Sequence, residues 1–224
     1  MMQALVGEGR FGMACNGGAI ILAGGKSTRF GRDKAFEPLA GKTLIEHVAE
    51  VLRGLFPDVM IVANAPRLFQ RFDLAVASDV IPGAGSLGGI LTGLLHSGSD
   101  RCFVAACDMP FLKADLIAEL YERSVRYDVV VPVVAGEPEP LHAVYSKRCI
   151  RPIVRMISEG QYRIVGLYKR VSVLKVGEEE WKPFDPEGAS FFNINTPSDF
   201  GDASGLLQRD GATPRTVSGC RRAP

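Results

Sequence analysis

Ala19-Ile20-Ile21-Leu22-Ala23-Gly24-Gly25-Lys26-Ser27-Thr28-Arg29-Phe30-Gly31-Arg32-Asp33-Lys34 is the stretch from which the rest of the chain can be read. Ala19 to Ala23 is a short, continuous apolar run with β-branched residues, bounded by glycine, which predicts a buried strand. Gly24 and Gly25 follow at once, and glycine lets a backbone approach a ligand closely. Arg29, Arg32 and Lys34 then place three cations within six residues. A strand, a glycine loop and clustered cations suit phosphate groups held by backbone N–H donors and fixed charge. The string is not a Walker loop, since G-x-x-x-x-G-K-[ST] is absent. An ordinary glycine turn with solvated basic residues is the alternative, and the position directly after the first buried strand argues against it.

Outward from this stretch the pattern alternates. Thr43 with Glu46 reads as a capping box. Leu44 to Leu55 has helical spacing, and Pro57 closes it. Val59–Ala63 is a second strand closed by Asn64, Pro66–Phe72 a short helix, and Leu74–Ala77 a third strand. Ser78, Asp79 and a glycine-rich loop over 82–89 lead into a helix over Leu87–Leu95. Cys102–Ala106 is a strand followed by Asp108-Met109-Pro110. A helix over Leu112–Val125 and a strand over Val129–Val134 come next. Beyond them the pattern predicts a loop entering a strand near Tyr145, helices over Ile150–Ile157 and Tyr162–Tyr168, a strand over Val171–Val176, and a strand over Phe191–Thr196 ending at a helix that holds Ser198 to Phe200.

Strands alternating with helices predict an α/β fold of three layers, Rossmann-like, with a mainly parallel central sheet in a single domain. Such sheets bind ligands beyond the carboxyl ends of their strands. Gly24, Asn64, Asp79 and Asp108 each follow a different strand, so they are expected along one edge. Residues 1–18 lack a periodic pattern and are expected to form an extension, with Met13 as an alternative start. Residues 19–202 form the domain, and 203–224 are expected to be a disordered tail.

Composition narrows the function. The chain has 224 residues, 46% hydrophobic and 23% charged, with a net charge of +1. That balance predicts a soluble cytoplasmic protein and calls for neither nucleic acid nor an anionic membrane as partner. No apolar run reaches the ~20 residues of a membrane helix. Five scattered cysteines suggest neither a zinc site nor a disulfide framework. Gly83-Ala84-Gly85-Ser86-Leu87-Gly88 matches G-x-G-x-x-G but does not open the first strand–helix turn, so a dinucleotide site is not expected. These glycines are expected to bring a loop and helix start close to a ligand. Arg163, Lys169 and Arg170 read as a solvated basic face.

The opening string, L-A-G-G-x-S-x-R-[MF]-G-x-D-K, resembles the signature of the molybdenum cofactor guanylyltransferases, the MobA family of Rossmann-like nucleotidyltransferases. The resemblance extends to about Phe200. It also rests on Asp79 with Gly85-Ser86-Leu87-Gly88-Gly89, on Cys107-Asp108-Met109-Pro110, on Pro140-Leu141-His142-Ala143 and on Asn193-Ile194-Asn195-Thr196-Pro197. The sequence departs from the pattern at Ser86, where proline is common, and at Val62, where some members have asparagine.

The resemblance implies transfer of GMP from GTP to the terminal phosphate of molybdopterin carrying molybdenum, with release of pyrophosphate. The acceptor is a phosphate monoester, whose second pKa of ~6 makes it largely a dianion at neutral pH. No general base is therefore needed, only positioning and charge neutralisation. Lys34, Arg29 and Asp108 are the implied catalytic residues, with Asp108 as ligand of Mg2+. Leu22, Ala23, Gly24, Gly25, Lys34, Asn64, Asp79 and Asp108 are expected on the GTP side. His142, Asn193 and Asn195 are expected on the pterin side. Transient contacts with molybdenum cofactor biosynthesis proteins or acceptor molybdoenzymes are the implied protein partners. The same chemistry with CTP or another acceptor, and a non-catalytic nucleotide-binding protein, are the competing readings.

Overall fold

The computed structural model describes residues 15–24, 34–196, 198–201 and 203. Its central sheet uses β1 (Gly18–Leu22), β4 (Asp58–Val62), β5 (Ala75–Ala77), β6 (Arg101–Ala106), β7 (Val129–Val134), β9 (His142–Ser146) and β10 (Val173–Val176), in the order β10-β7-β9-β6-β1-β4-β5. β1 pairs in parallel with both β4 and β6, and β5 with β4. β9 runs antiparallel to β6 on one side and β7 on the other. β8 (Glu137–Pro138) folds back on β7. A small hairpin of β2 (Pro38–Leu39) and β3 (Lys42–Thr43) lies apart, turning through Ala40 and Gly41, both with positive φ.

Both sheet faces are covered, which is why the strands read as continuous apolar runs. Ala19 and Ile21 of β1 join the core formed with α1 (Leu44–Leu55) and α3 (Ala114–Arg123). Ile20 and Leu22 point the other way, toward α2 (Gly85–His96) and α4 (Ile150–Ser158). The three-layer, mostly parallel reading is therefore correct. At the start of α1 the Glu46 carboxylate accepts hydrogen bonds from both the N–H and the hydroxyl of Thr43, at 2.6 and 2.7 Å, as the capping box predicts.

Several boundaries differ from the sequence reading. α2 begins at Gly85, so much of the expected glycine loop is helix. A Cβ on Gly93 would lie 2.5 Å from Cδ1 of Ile20. Glycine there brings α2 onto β1, so this glycine serves helix–sheet packing rather than a ligand. Residues 164–169 form a 3-10 helix, not an α-helix. Phe191–Thr196 is not a strand: a 3-10 helix at Ala189–Phe191 runs into an irregular segment. Its backbone is satisfied elsewhere, with Ile194 N–H donating to the Asp108 carbonyl at 3.0 Å.

Both ends of the folded body extend past the expected limits. Cys15 is buried and donates its N–H to Leu55, and Asn16 accepts from the Tyr121 hydroxyl. Ala203 is buried in a third cluster with Leu39, Leu44, Phe111, Ala189 and Ile194. Residues 1–14 and 204–224, which include most of the expected extension and tail, lie outside the described residues.

Candidate active site

The parallel ladders end in one row. Leu22 pairs with Val62 and with Ala106, and Val62 pairs with Ala77. Two residues beyond each stands Gly24, Asn64, Asp108 and Asp79, respectively. The sheet keeps this row aligned past its last pairs, through Ala23 N–H to Val62, Ala63 N–H to Ala77 and Cys107 N–H to Leu22. The expected convergence at the carboxyl edge is thus a consequence of register.

The charged part of the site centres on Asp108. Lys34 Nζ donates to Asp108 Oδ2 at 2.8 Å and to Asn195 Oδ1 at 3.0 Å. The Lys34 side chain is only 9% exposed and that of Asp108 21%. Asp108 Oδ1 is buried with no hydrogen-bond partner. Such an oxygen costs free energy unless something satisfies it. It is a hard anionic donor at the mouth of a strand, fit for a hard divalent cation. Among the described residues no group of three or more His, Cys, Asp or Glu gathers as a metal cluster. A cation here would take one or two carboxylates and complete its shell with substrate oxygens and water, as Mg2+ commonly does.

Asn195 was expected on the pterin side; the structure brings it to Lys34. The Asp199 carboxylate holds it there by accepting from the N–H of Asn195 at 2.5 Å and of Thr196 at 2.8 Å. Those hydrogen bonds hold the Asp199 carboxyl below its usual range. Asn193 folds over its own turn, its Nδ2 donating to the Phe191 carbonyl at 3.3 Å.

His142 corrects its expected role. It is fully buried, edge-on to Phe103 and Phe191 at 4.9 and 5.1 Å, and neither ring nitrogen has a partner. Burial drives its pKa down to about 3, so the ring is neutral and faces the core instead of a substrate. The apolar neighbourhood was invisible in sequence because Phe103 and Phe191 are distant in the chain.

The uncharged part lies around Gly24. Asn64 packs its amide over that glycine, and a Cβ on Gly24 would sit 3.4 Å from Asn64 Nδ2. Asp79 is half-buried and already engaged: Oδ1 accepts from Ile81 N–H and from the Thr92 hydroxyl, both at 3.1 Å. A Cβ on Gly88 would meet both Asp79 oxygens near 3.1–3.2 Å. Asp79 therefore anchors its loop to α2. Leu22 and Ala23 are buried at the strand end. Gly25 and Arg29 lie outside the described residues.

Glu139, which the sequence reading did not single out, is half-buried. Its Oε1 accepts from Leu141 N–H at 3.2 Å. Burial pushes its carboxyl above the usual range, and the charge of Asp108 adds to that rise. The thiols of Cys15, Cys102 and Cys149 are buried, which pushes them up to about 11, 11 and 12, so none is poised as a nucleophile.

The pattern of the MobA-like NTP transferase domain matches residues 19–173. The chain belongs to this family. A molybdenum cofactor guanylyltransferase of Desulfosudis oleivorans is 38% identical over 191 residues, covering 84% of this chain and 95% of that protein. A probable molybdenum cofactor guanylyltransferase of Pelotomaculum thermopropionicum is 39% identical over 180 residues, covering 80% and 88%. The crystal structure of molybdopterin-guanine dinucleotide biosynthesis protein A from Archaeoglobus fulgidus superposes with a TM-score of 0.76 at 33% identity, covering 86% of this chain and 99% of that one. As a MobA-like NTP transferase the chain is a nucleotidyltransferase, and the fold described above is the one shared with the Archaeoglobus fulgidus protein. No helix among the described residues is long and apolar enough to cross a membrane.

Proposed function

We propose that this MobA-like nucleotidyltransferase joins the GMP moiety of GTP to the terminal phosphate of molybdopterin carrying molybdenum, releasing pyrophosphate. The observation that carries the reading is the buried, unpartnered Asp108 Oδ1 beside the Lys34 ammonium at the carboxyl edge. An acceptor phosphate oxygen attacks the α-phosphorus, and the bond to the β-phosphate oxygen breaks. The dianionic acceptor needs no proton removed, which agrees with a site whose one described histidine at this edge is buried and neutral.

Asp108 would hold Mg2+, which when bound offsets charge on the phosphate oxygens. Lys34 acts as a compact charge that exchanges its carboxylate and amide partners for phosphate oxygens. Until then Asn195, fixed by Asp199, keeps the ammonium oriented. Arg29 and Gly25 belong to the phosphate loop, Gly24 and Asn64 give the nucleotide a flat approach, and Asp79 shapes the loop beneath it. Asn193 lies on the acceptor side. The reaction places the protein in the cytoplasm, with transient delivery contacts to cofactor-biosynthesis proteins or acceptor molybdoenzymes.

The test is pyrophosphate release with GTP, CTP and ATP in the presence of Mg2+ and molybdenum-loaded molybdopterin. GTP should be the preferred donor. Equal release from all three nucleotides, or none from GTP, overturns the reading.

A further inference from the structure

The basic face expected over Arg163, Lys169 and Arg170 is larger in the fold than in the sequence. Between Lys147 and Arg170 stand seven basic residues and one acidic residue, Glu159, in a chain whose net charge is only +1. Helical spacing sets Arg151, Val154 and Arg155 on one exposed side of α4. Arg170 joins Arg151 and Arg155 in lining a cleft of about 430 Å³ that also holds Glu159. That carboxylate accepts from Arg155 at 3.0 Å and from Arg170 at 2.6 Å, so one acid answers two of the cations. A second cleft, of about 520 Å³, is lined by Tyr162, Arg163, Val165 and Lys169 among others. The side chains of Arg151, Arg163 and Lys169 meet no acid and no hydrogen-bond acceptor among the described residues.

Apolar side chains share this face. Of the seven exposed large hydrophobic side chains among the described residues, three are Val154, Tyr162 and Val165. Exposed apolar groups interleaved with unpaired cations around two clefts mark a recognition surface. We propose that this face docks a partner protein whose surface is acidic and carries protruding apolar or aromatic side chains. Charge selects the acid, because unpaired cations attract and orient a surface of opposite sign. The clefts select the protrusions. A lipid surface takes side chains that stand out from a protein, not the hollows between them. Nucleic acid is a poorer match, because its phosphates would meet the Glu159 carboxylate in the first cleft. The chain's own residues 204–224 carry four arginines and one aspartate, the same sign as the face. None of these residues belongs to the site at the carboxyl edge, so the inference does not rest on the reaction proposed above.

The test follows the fluorescence anisotropy of a labelled synthetic peptide, rich in glutamate with spaced phenylalanines, against the full-length protein at low salt. Polyglutamate of the same length, a single-stranded DNA oligonucleotide and phosphatidylserine vesicles are the comparison probes. The peptide should bind best of the four, and its binding should weaken as salt rises. Reversing the three unpaired charges together, as Arg151→Glu, Arg163→Glu and Lys169→Glu, should weaken the peptide by about tenfold or more. The melting temperature and pyrophosphate release of this variant should stay at the wild-type level. Tyr162→Ser should remove the advantage of the peptide over polyglutamate. No binding by the wild type, or wild-type affinity in the triple variant, overturns the proposal, and so does an unchanged peptide advantage in Tyr162→Ser. Tighter binding of DNA or vesicles than of the peptide overturns it in favour of those ligands. A wild-type dimer that the triple variant dissolves assigns the face to a second copy and overturns it too.

Discussion

The carboxyl edge has two unlike halves. Around Asp108 the site is built from charge and hydrogen bonding: Lys34, Asp108 and Asn195 converge from remote parts of the chain, and one carboxylate oxygen is left buried and unanswered. Around Gly24 it is built from shape: Asn64 lies over a glycine, and Asp79 has its oxygen committed to its own loop and helix. The charged half stores electrostatic cost that a ligand can relieve. The uncharged half is already satisfied and offers only a surface. Substitutions in the charged half should therefore cost chemistry as well as stability, and those on the shape side stability alone.

The largest expected effect is on turnover. Asp108→Asn and Lys34→Ala should each lower kcat by on the order of 10²–10³, the usual cost of one electrostatic contact to the transition state. They should differ in binding. Lys34→Ala should also weaken GTP, whereas Asp108→Asn should keep metal-independent GTP binding. Single-turnover transfer from labelled GTP, with GTP affinity measured in parallel, checks both. A wild-type rate in Asp108→Asn would erase the distinction between the halves.

Stability separates them next. Lys34→Ala leaves Asp108 uncompensated. Removing one partner of a buried pair typically costs ~3–5 kcal/mol, and the 21% exposure of the Asp108 side chain argues for the lower end. Divalent metal should raise the melting temperature of Lys34→Ala more than that of the wild type. Equal gains would mean that the metal does not answer Asp108.

A third test uses the core behind the charged half. His142 has a folded pKa near 3 against 6.5 for an exposed ring. Unfolding therefore takes up a proton once the pH falls below 6.5. The stability is complete above that value and drains away as the pH falls toward 3, at up to ~1.4 kcal/mol per unit. His142→Leu should flatten that slope by about one proton in denaturant titrations between pH 6 and 4. An unchanged slope would mean that the ring is protonated inside the fold.

The smallest effect is predicted on the shape side. Gly93→Ala puts a methyl group 2.5 Å from Ile20 Cδ1 and should destabilise by ~1–3 kcal/mol. Its kcat should barely move, and Ile20→Ala in the same chain should recover part of the loss. A catalytic defect as large as that of Lys34→Ala would show the halves to be one unit.

Much of the site could be read before the fold was seen. Gly24, Asn64, Asp79 and Asp108 were legible because each follows an apolar run with a clear end, and parallel strands align their ends automatically. Asn195 was legible as a motif residue, but its bond to Lys34, 161 residues away in the chain, was not. Phe191–Thr196 was misread as a strand because aromatic and β-branched residues also pack irregular segments, here over Leu39, Phe111 and Ala203. The direction of β9 was not legible at all, because no local pattern tells a parallel strand from an antiparallel one.

What the sequence by itself determined is local: apolar runs long enough to be buried on both faces, a capping box at Thr43, and a glycine–cation string after the first strand. These depend on neighbours a few residues apart, and composition carries that information. Only the tertiary structure decided which ammonium meets Asp108, which histidine is sealed in the core, and which oxygen of Asp108 is left waiting. Those depend on the direction of β9 and on how the segment after Phe191 lies against residue 108. Hydrogen bonding between strands and burial set both, and each is a property of pairs of residues far apart in the chain.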